Sequence, residues 1–189
     1  MILGIVVRLR FMSRPVAVPV MAKLVIKGST SKSRLWLARK MAERLAAALP
    51  GRQIRVVADS AYAGGELKGL PAGICWTTRL RKDAALHGLP PARTGRPGRP
   101  RVKGDRLPTL AKLAAAAEFS QVTVVRYGRT ETVAAAVVTC LWYSVFGSRP
   151  VTVVIVRDKP GSGFGIALVT TDRYGSRTSG CDLRLSVPG

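Results

Sequence analysis

The 189-residue chain carries 31 Lys and Arg against 10 Asp and Glu, a formal net charge of +21, while 47% of its residues are hydrophobic. That apolar share supports one domain with a real core and excludes wholesale disorder. Such a cation excess seeks polyanions, and nucleic acid comes first because its phosphates release counterions when Lys and Arg replace them. An anionic membrane surface fits less well, since no segment joins a basic face to a wide Trp/Phe/Leu face. The bland alternative is an arginine-rich composition with no partner at all. Cys75, Cys140 and Cys181 are odd in number and far apart, so they form neither a disulfide framework nor a Cys-x-x-Cys metal site. Cys75 and Cys140 lie in apolar runs and read as buried free thiols. His87 is the single histidine, which excludes most zinc sites and a Ser-His-Asp hydrolase.

The opening Met1-Ile-Leu-Gly-Ile-Val-Val7 has no basic residue before its apolar part, and Arg8 and Arg10 interrupt it too early for a signal peptide. No run approaches the roughly 18 apolar residues a membrane span needs. A soluble, cytoplasmic, nucleoid-associated protein is expected. Residues 2–9 and 16–26 read as two strands separated by Ser13-Arg14-Pro15. A helix follows, N-capped by Ser31 or Ser33, with Leu35, Ala38, Met41 or Ala42, Leu45 and Leu49 at helical spacing. Arg39, Lys40, Glu43 and Arg44 take the other side and read as a solvated face. Pro50-Gly51 ends the helix.

The central stretch is Ile54-Arg-Val-Val-Ala-Asp59-Ser-Ala-Tyr-Ala-Gly-Gly-Glu-Leu67. A short β-branched run ending at a carboxylate reads as a strand with Asp59 at its carboxyl end, where open α/β sheets place ligand crevices. Spacing alone favours the bland reading, in which Asp59 merely caps a following turn through Ser60 to Tyr62. Residues 73–78 predict another strand. Residues 90–106 are dense in Pro and Gly and hold six basic residues, Arg93, Arg96, Arg99, Arg101, Lys103 and Arg106, against the single acid Asp105. They read as an arm contacting phosphates or as a passive linker. A short helix over 107–118, a hairpin of 122–127 with 132–143 about Gly128-Arg129, and β segments at 151–156 and 165–170 complete a β-rich second half. From Arg173 onward periodicity is lost, and the tail over 173–189 is expected to be disordered or poorly packed.

The blocks VVADSAYAGGEL, GICWTTRLRKDAAL, a basic Pro/Gly segment, VRYGRTETVAAAVVTCLWYSVFGSRPVTVVIVRD and GFGIALVTTD, in that order, resemble the central part of bacterial insertion-sequence DDE transposases. The resemblance covers roughly residues 1–172. It implies an α/β fold with a partial RNase H-like core and mixed sheet over 1–72, and a β-rich insertion over 73–172. It further implies two Asp and one Glu holding Mg²⁺ or Mn²⁺, double-stranded DNA as substrate, and a homodimer as in transposition complexes. Such enzymes cut DNA and join the freed 3′ hydroxyl to a target strand, chemistry that two ions ~4 Å apart can support. Asp59 matches the second acid. The family's first Asp precedes the matching stretch, and no Asp or Glu occurs here before Glu43. The family's Glu lies on a helix beyond Thr171-Asp172, where this chain departs from the pattern. The expectation is a truncated, catalytically incomplete transposase whose sole retained catalytic and metal-ligating residue is Asp59. A DNA-binding remnant without enzymatic activity or sequence choice, using the six cations of the arm, is the alternative. Glu66, Asp83, Glu118 and Glu131 read as surface charges, Asp158 and Asp172 as turn residues, and Tyr62, Trp76 and Trp142 as core rather than base-stacking platforms.

Overall fold

The computed structural model describes residues 1–12, 14–25, 33–92, 99–126, 128–157 and 165–172. The expected tail from Arg173, together with Asp158, Arg93 and Arg96, lies outside the described residues. Strand β1 (Ile2–Val7) pairs antiparallel with β2 (Val16–Ala22), placing Ile2 opposite Ala22 and Val7 opposite Val16. The register slips between Leu3 and Gly4, opposite Pro19, which has no N–H to give to a ladder. This hairpin forms a two-stranded sheet of its own. Much of its apolar surface is exposed, with Ile2 and Val6 each more than half accessible.

Helix α1 (Arg34–Ala48) begins at Ser33, whose Oγ accepts from the Trp36 amide at 3.0 Å. Of the two candidate caps, Ser33 is the one used. Leu35, Met41 and Ala42 are buried as the helical spacing predicts, and Leu37 joins them. The helix stops before Pro50, and Gly51 turns the chain with a φ of +75°, a conformation glycine adopts without a Cβ clash.

The larger sheet is mixed and six-stranded. Strand β3 (Ile54–Ala58) lies at one edge, parallel to β4 (Ile74–Arg79), with Ile54 beside Ile74 and Ala58 beside Thr78. Next comes β8 (Ile166–Thr170), antiparallel to β4, then β7 (Val151–Arg157), β6 (Arg129–Cys140) and finally β5 (Ser120–Arg126). The β5–β6 hairpin turns at Gly128, where φ is +77°. The remaining helices are short: α2 (Leu110–Ala116) and α3 (Tyr143–Phe146).

The main core lies where α1, α2, α3 and the loops meet this sheet, around Trp76, Leu67, Ile74, Leu86, Leu110, Val153 and Ile155. Strand β7 is buried along Val151–Val156, as expected for a strand with neighbours on both edges and atoms on both faces. A smaller cluster of Val124, Val133, Ala135, Val154 and Val156 packs at the β5–β6–β7 end. Arg157 ties α2 to it: its guanidinium donates to the Ala114 carbonyl at 2.6 Å and stacks 3.8 Å from the Phe119 ring centroid. Trp76, Trp142, Cys75 and Cys140 are all buried, in agreement with their sequence reading. Burial pushes the thiols up, that of Cys140 to about 11, so both are poor nucleophiles.

Candidate functional site: a strand-end carboxylate and a clamped basic loop

Asp59 follows the last residue of β3 and is exposed at the carboxyl end of the parallel pair. Its backbone is fixed twice. The carbonyl accepts from Thr78 Oγ1 at 2.8 Å and from the Tyr62 amide at 2.9 Å. Its side chain caps the 3₁₀ turn Ser60–Tyr62 by accepting from the Ser60 amide at 2.6 Å. Trp76 Nε1, from the core, donates to the Tyr62 carbonyl at 3.1 Å and holds that turn in place. Both readings of Asp59 are therefore compatible: one carboxylate oxygen caps, and among the described residues the other accepts no hydrogen bond.

The loop after this turn is held to α1. Gly64 keeps this approach close: a Cβ would sit 2.9 Å from Leu35 Cδ2 and 3.1 Å from Glu66 Oε2, the ends of two side chains that would then have to shift. Ser33 Oγ donates to Glu66 Oε1 at 2.6 Å, which lowers the Glu66 pKa. Arg39, expected on a solvated face, instead reaches across. Its guanidinium donates to the carbonyls of Glu66, Lys68 (2.8 Å) and Gly69 (3.1 Å), and its Nε to Glu43 at 2.7 Å. Glu43 lies four residues on along the same helix, whereas the three carbonyls come from residues far along the chain. Hydrogen bonds from Lys40 and then Arg39 hold the Glu43 carboxyl below its ordinary value.

Five of the other described acids, Glu43, Glu66, Asp83, Asp105 and Asp172, are held by partners of their own. Asp172 follows β8, as expected of a strand-end residue, but its carboxylate accepts from Arg55 Nε at 3.0 Å. Arg55 lies three residues before Ala58, ~10 Å back along the strand. Glu43, Asp83 and Asp105 are paired with Arg39 and Lys40, Arg81, and Arg101 respectively. Among the described residues no group of three or more His, Cys, Asp or Glu could hold a metal ion.

The basic segment is anchored at its base rather than free. Residues 86–88 run alongside 104–107: the Gly88 amide donates to Asp105, Gly104 to Gly88, and Leu107 to Leu86, at 2.9, 3.0 and 2.9 Å. On its other side His87 exchanges backbone bonds of 2.9 and 2.8 Å with Leu141, a fully buried residue. Gly104 permits the close approach, since a Cβ there would lie 2.6 Å from the Leu89 carbonyl oxygen. Of the predicted phosphate-binding cations, Arg99, Arg101 and Arg106 are exposed and Lys103 is half-buried. Arg101 pairs with Asp105 at 2.9 Å. Four of the six cations thus lie on a described stretch, residues 99–106, whose base is fixed. Its sequence showed the composition but gave no sign of the neck.

A mixed α/β sheet with few helices and a carboxylate fixed at a strand end is compatible with a DDE nuclease-like fold. A sequence model described as "DDE superfamily endonuclease" matches residues 5–144, and the chain belongs to that family. Comparison with curated proteins returned no match. Comparison with solved structures returned none either.

Proposed function

We propose that this chain is a transposase-like protein of the bacterial insertion-sequence lineage, acting on double-stranded DNA in cleavage and strand transfer. The observation that carries the reading is the family match across residues 5–144 together with Asp59 at the carboxyl end of β3. Asp59 is the proposed catalytic acid and metal ligand, and RNase H-like ancestry is proposed for the region before residue 73. The β-rich region after it is the proposed insertion, although one sheet runs through both, β3 pairing directly with β4.

DDE superfamily endonucleases generally use divalent metal ions, here Mg²⁺ or Mn²⁺ given the oxygen donor. The described residues do not fit a two-ion site, because one exposed carboxylate, though able to bridge two cations, supplies too few oxygen donors to hold a pair of them. We therefore propose that the chain is catalytically incomplete unless carboxylates from outside the described residues complete the set, whether its own or those of a second copy in a homodimer.

The DNA contact is assigned to Arg99, Arg101, Lys103 and Arg106 of the clamped loop, with Arg93 and Arg96 of the same segment. Salt links to phosphate make binding steeply salt-dependent and indifferent to sequence. Among the described residues no helix is long and apolar enough to cross a membrane. The test is binding of a short duplex across a salt series. Replacing Lys103 and Arg106 by Ala should lower the slope of log affinity against log salt by about two, roughly one for each phosphate that is no longer neutralised. An unchanged slope would remove the loop from the interface.

A further inference from the structure

The neck of the basic loop holds a group that the proposed function does not use. His87 Nε2 lies 3.3 Å from Lys103 Nζ, and the same ammonium sits 5.4 Å from the centroid of the Tyr143 ring on α3. Lysine ammonium is a donor only, so this contact is attractive only when Nε2 presents its lone pair. The imidazole is then neutral and carries its proton on Nδ1, which is buried and makes no well-formed hydrogen bond among the described residues, although the Ala85 backbone acts on the ring in the direction that favours its protonation. The charged groups acting on the ring are Lys103 and Arg106, both on the returning side of the neck, while Asp105 between them turns to Arg101. Leu141, on the other side, brings no charge. Burial first, then the Lys103 ammonium, then the Arg106 guanidinium hold the His87 pKa below the usual imidazole range.

Two cations and a proton acceptor on a fixed backbone form an arrangement that an anion would complete. A phosphodiester oxygen placed between Lys103 and His87 would accept from Nζ and from a protonated Nε2. It would offset the repulsion that a protonated imidazole meets from these cations by two charge-assisted hydrogen bonds. We propose that His87, Lys103 and Arg106 form a proton-coupled phosphodiester subsite at the loop neck, so that DNA binding there takes up one proton from solvent at His87 Nε2. This rests on the DNA reading above and adds to it a residue and a form of regulation: tighter binding at lower pH.

The chain has one histidine, so its Cε1–H gives a single resonance whose titration reads this group alone. The experiment follows that resonance from pH 4.5 to 8 at low salt, free and with a short duplex, with inorganic phosphate at equal phosphate concentration as a third arm. The midpoint should rise by about one pH unit with duplex, equivalent to tenfold tighter binding below it. Inorganic phosphate should move it far less. In Lys103→Ala the free midpoint should rise, since a repelling cation is gone, and the duplex should raise it less. His87→Gln should bind duplex with the same affinity from pH 5 to 8. Duplex binding that leaves the wild-type midpoint unmoved overturns the subsite while sparing the DNA reading. A midpoint raised by inorganic phosphate but not by duplex also overturns it. Absence of duplex binding at every salt concentration overturns the DNA reading and the subsite together.

Discussion

Arg39 is where a single side chain governs the loop beyond Asp59, and Arg39→Met tests that role while keeping the aliphatic stem. The substitution removes donors from the carbonyls of Glu66, Lys68 and Gly69 and leaves Glu43 with Lys40 alone. A hydrogen bond from a charged group contributes ~1.5–3 kcal/mol when dry. The three carbonyls lie at the surface and can take water instead, so most of that is recovered and the net loss should be about 1–2 kcal/mol. Urea unfolding should show a lower midpoint at unchanged slope. Amide exchange should accelerate first at Leu67, Lys68 and Leu70, whose bonds to Gly64, Gly65 and Leu67 close the loop. Unchanged stability with unchanged exchange at those amides would refute the clamp.

Three further outcomes are expected. Because Lys40 and Arg39 depress the Glu43 pKa, its contribution is present above the unfolded-state value of 4.5 and is lost as pH falls through the folded value. Urea midpoints should therefore fall more steeply below pH 4.5 in the wild type than in Glu43→Gln. Gly104→Ala should cost about 1–3 kcal/mol, because the new Cβ meets backbone atoms of Leu89 and Gly88 that cannot swing aside, and the Gly88 and Leu107 amides should lose protection from exchange. Cys75 and Cys140 should resist a thiol reagent at pH 8 until denaturant unfolds the chain, as judged by mass spectrometry of digested peptides.

Local chemistry was legible in the sequence. The Ser33 cap, the stop at Pro50-Gly51, the strand ending at Asp59 and the turn at Gly128 each depend on a few neighbouring residues. Trp76 and Cys140 could be placed in the core because apolar runs surround them. Partners distant in sequence were not legible. Nothing in the period of residues 166–170 says that β8 inserts between β4 and β7, or that residues 2–22 form a sheet of their own. Leu37 escaped the helical spacing because that spacing marks one stripe of α1. Arg39 looked solvated because its carbonyl partners lie 27 to 30 residues away. Distance along the chain also hid the neck at His87, whose partners Lys103 and Leu141 are brought to it only by the fold.

Asp59 is, on the proposed function, the one acid of a DDE site that the described residues provide. Nicking of supercoiled plasmid at low salt with Mg²⁺ or Mn²⁺, comparing the wild type with Asp59→Ala, tests this most directly. Both proteins should retain the plasmid in a gel shift, and neither should nick it above the protein-free rate. Metal-dependent nicking by the wild type that Asp59→Ala abolishes would contradict the incomplete site, by showing that the chain assembles a complete one on its own.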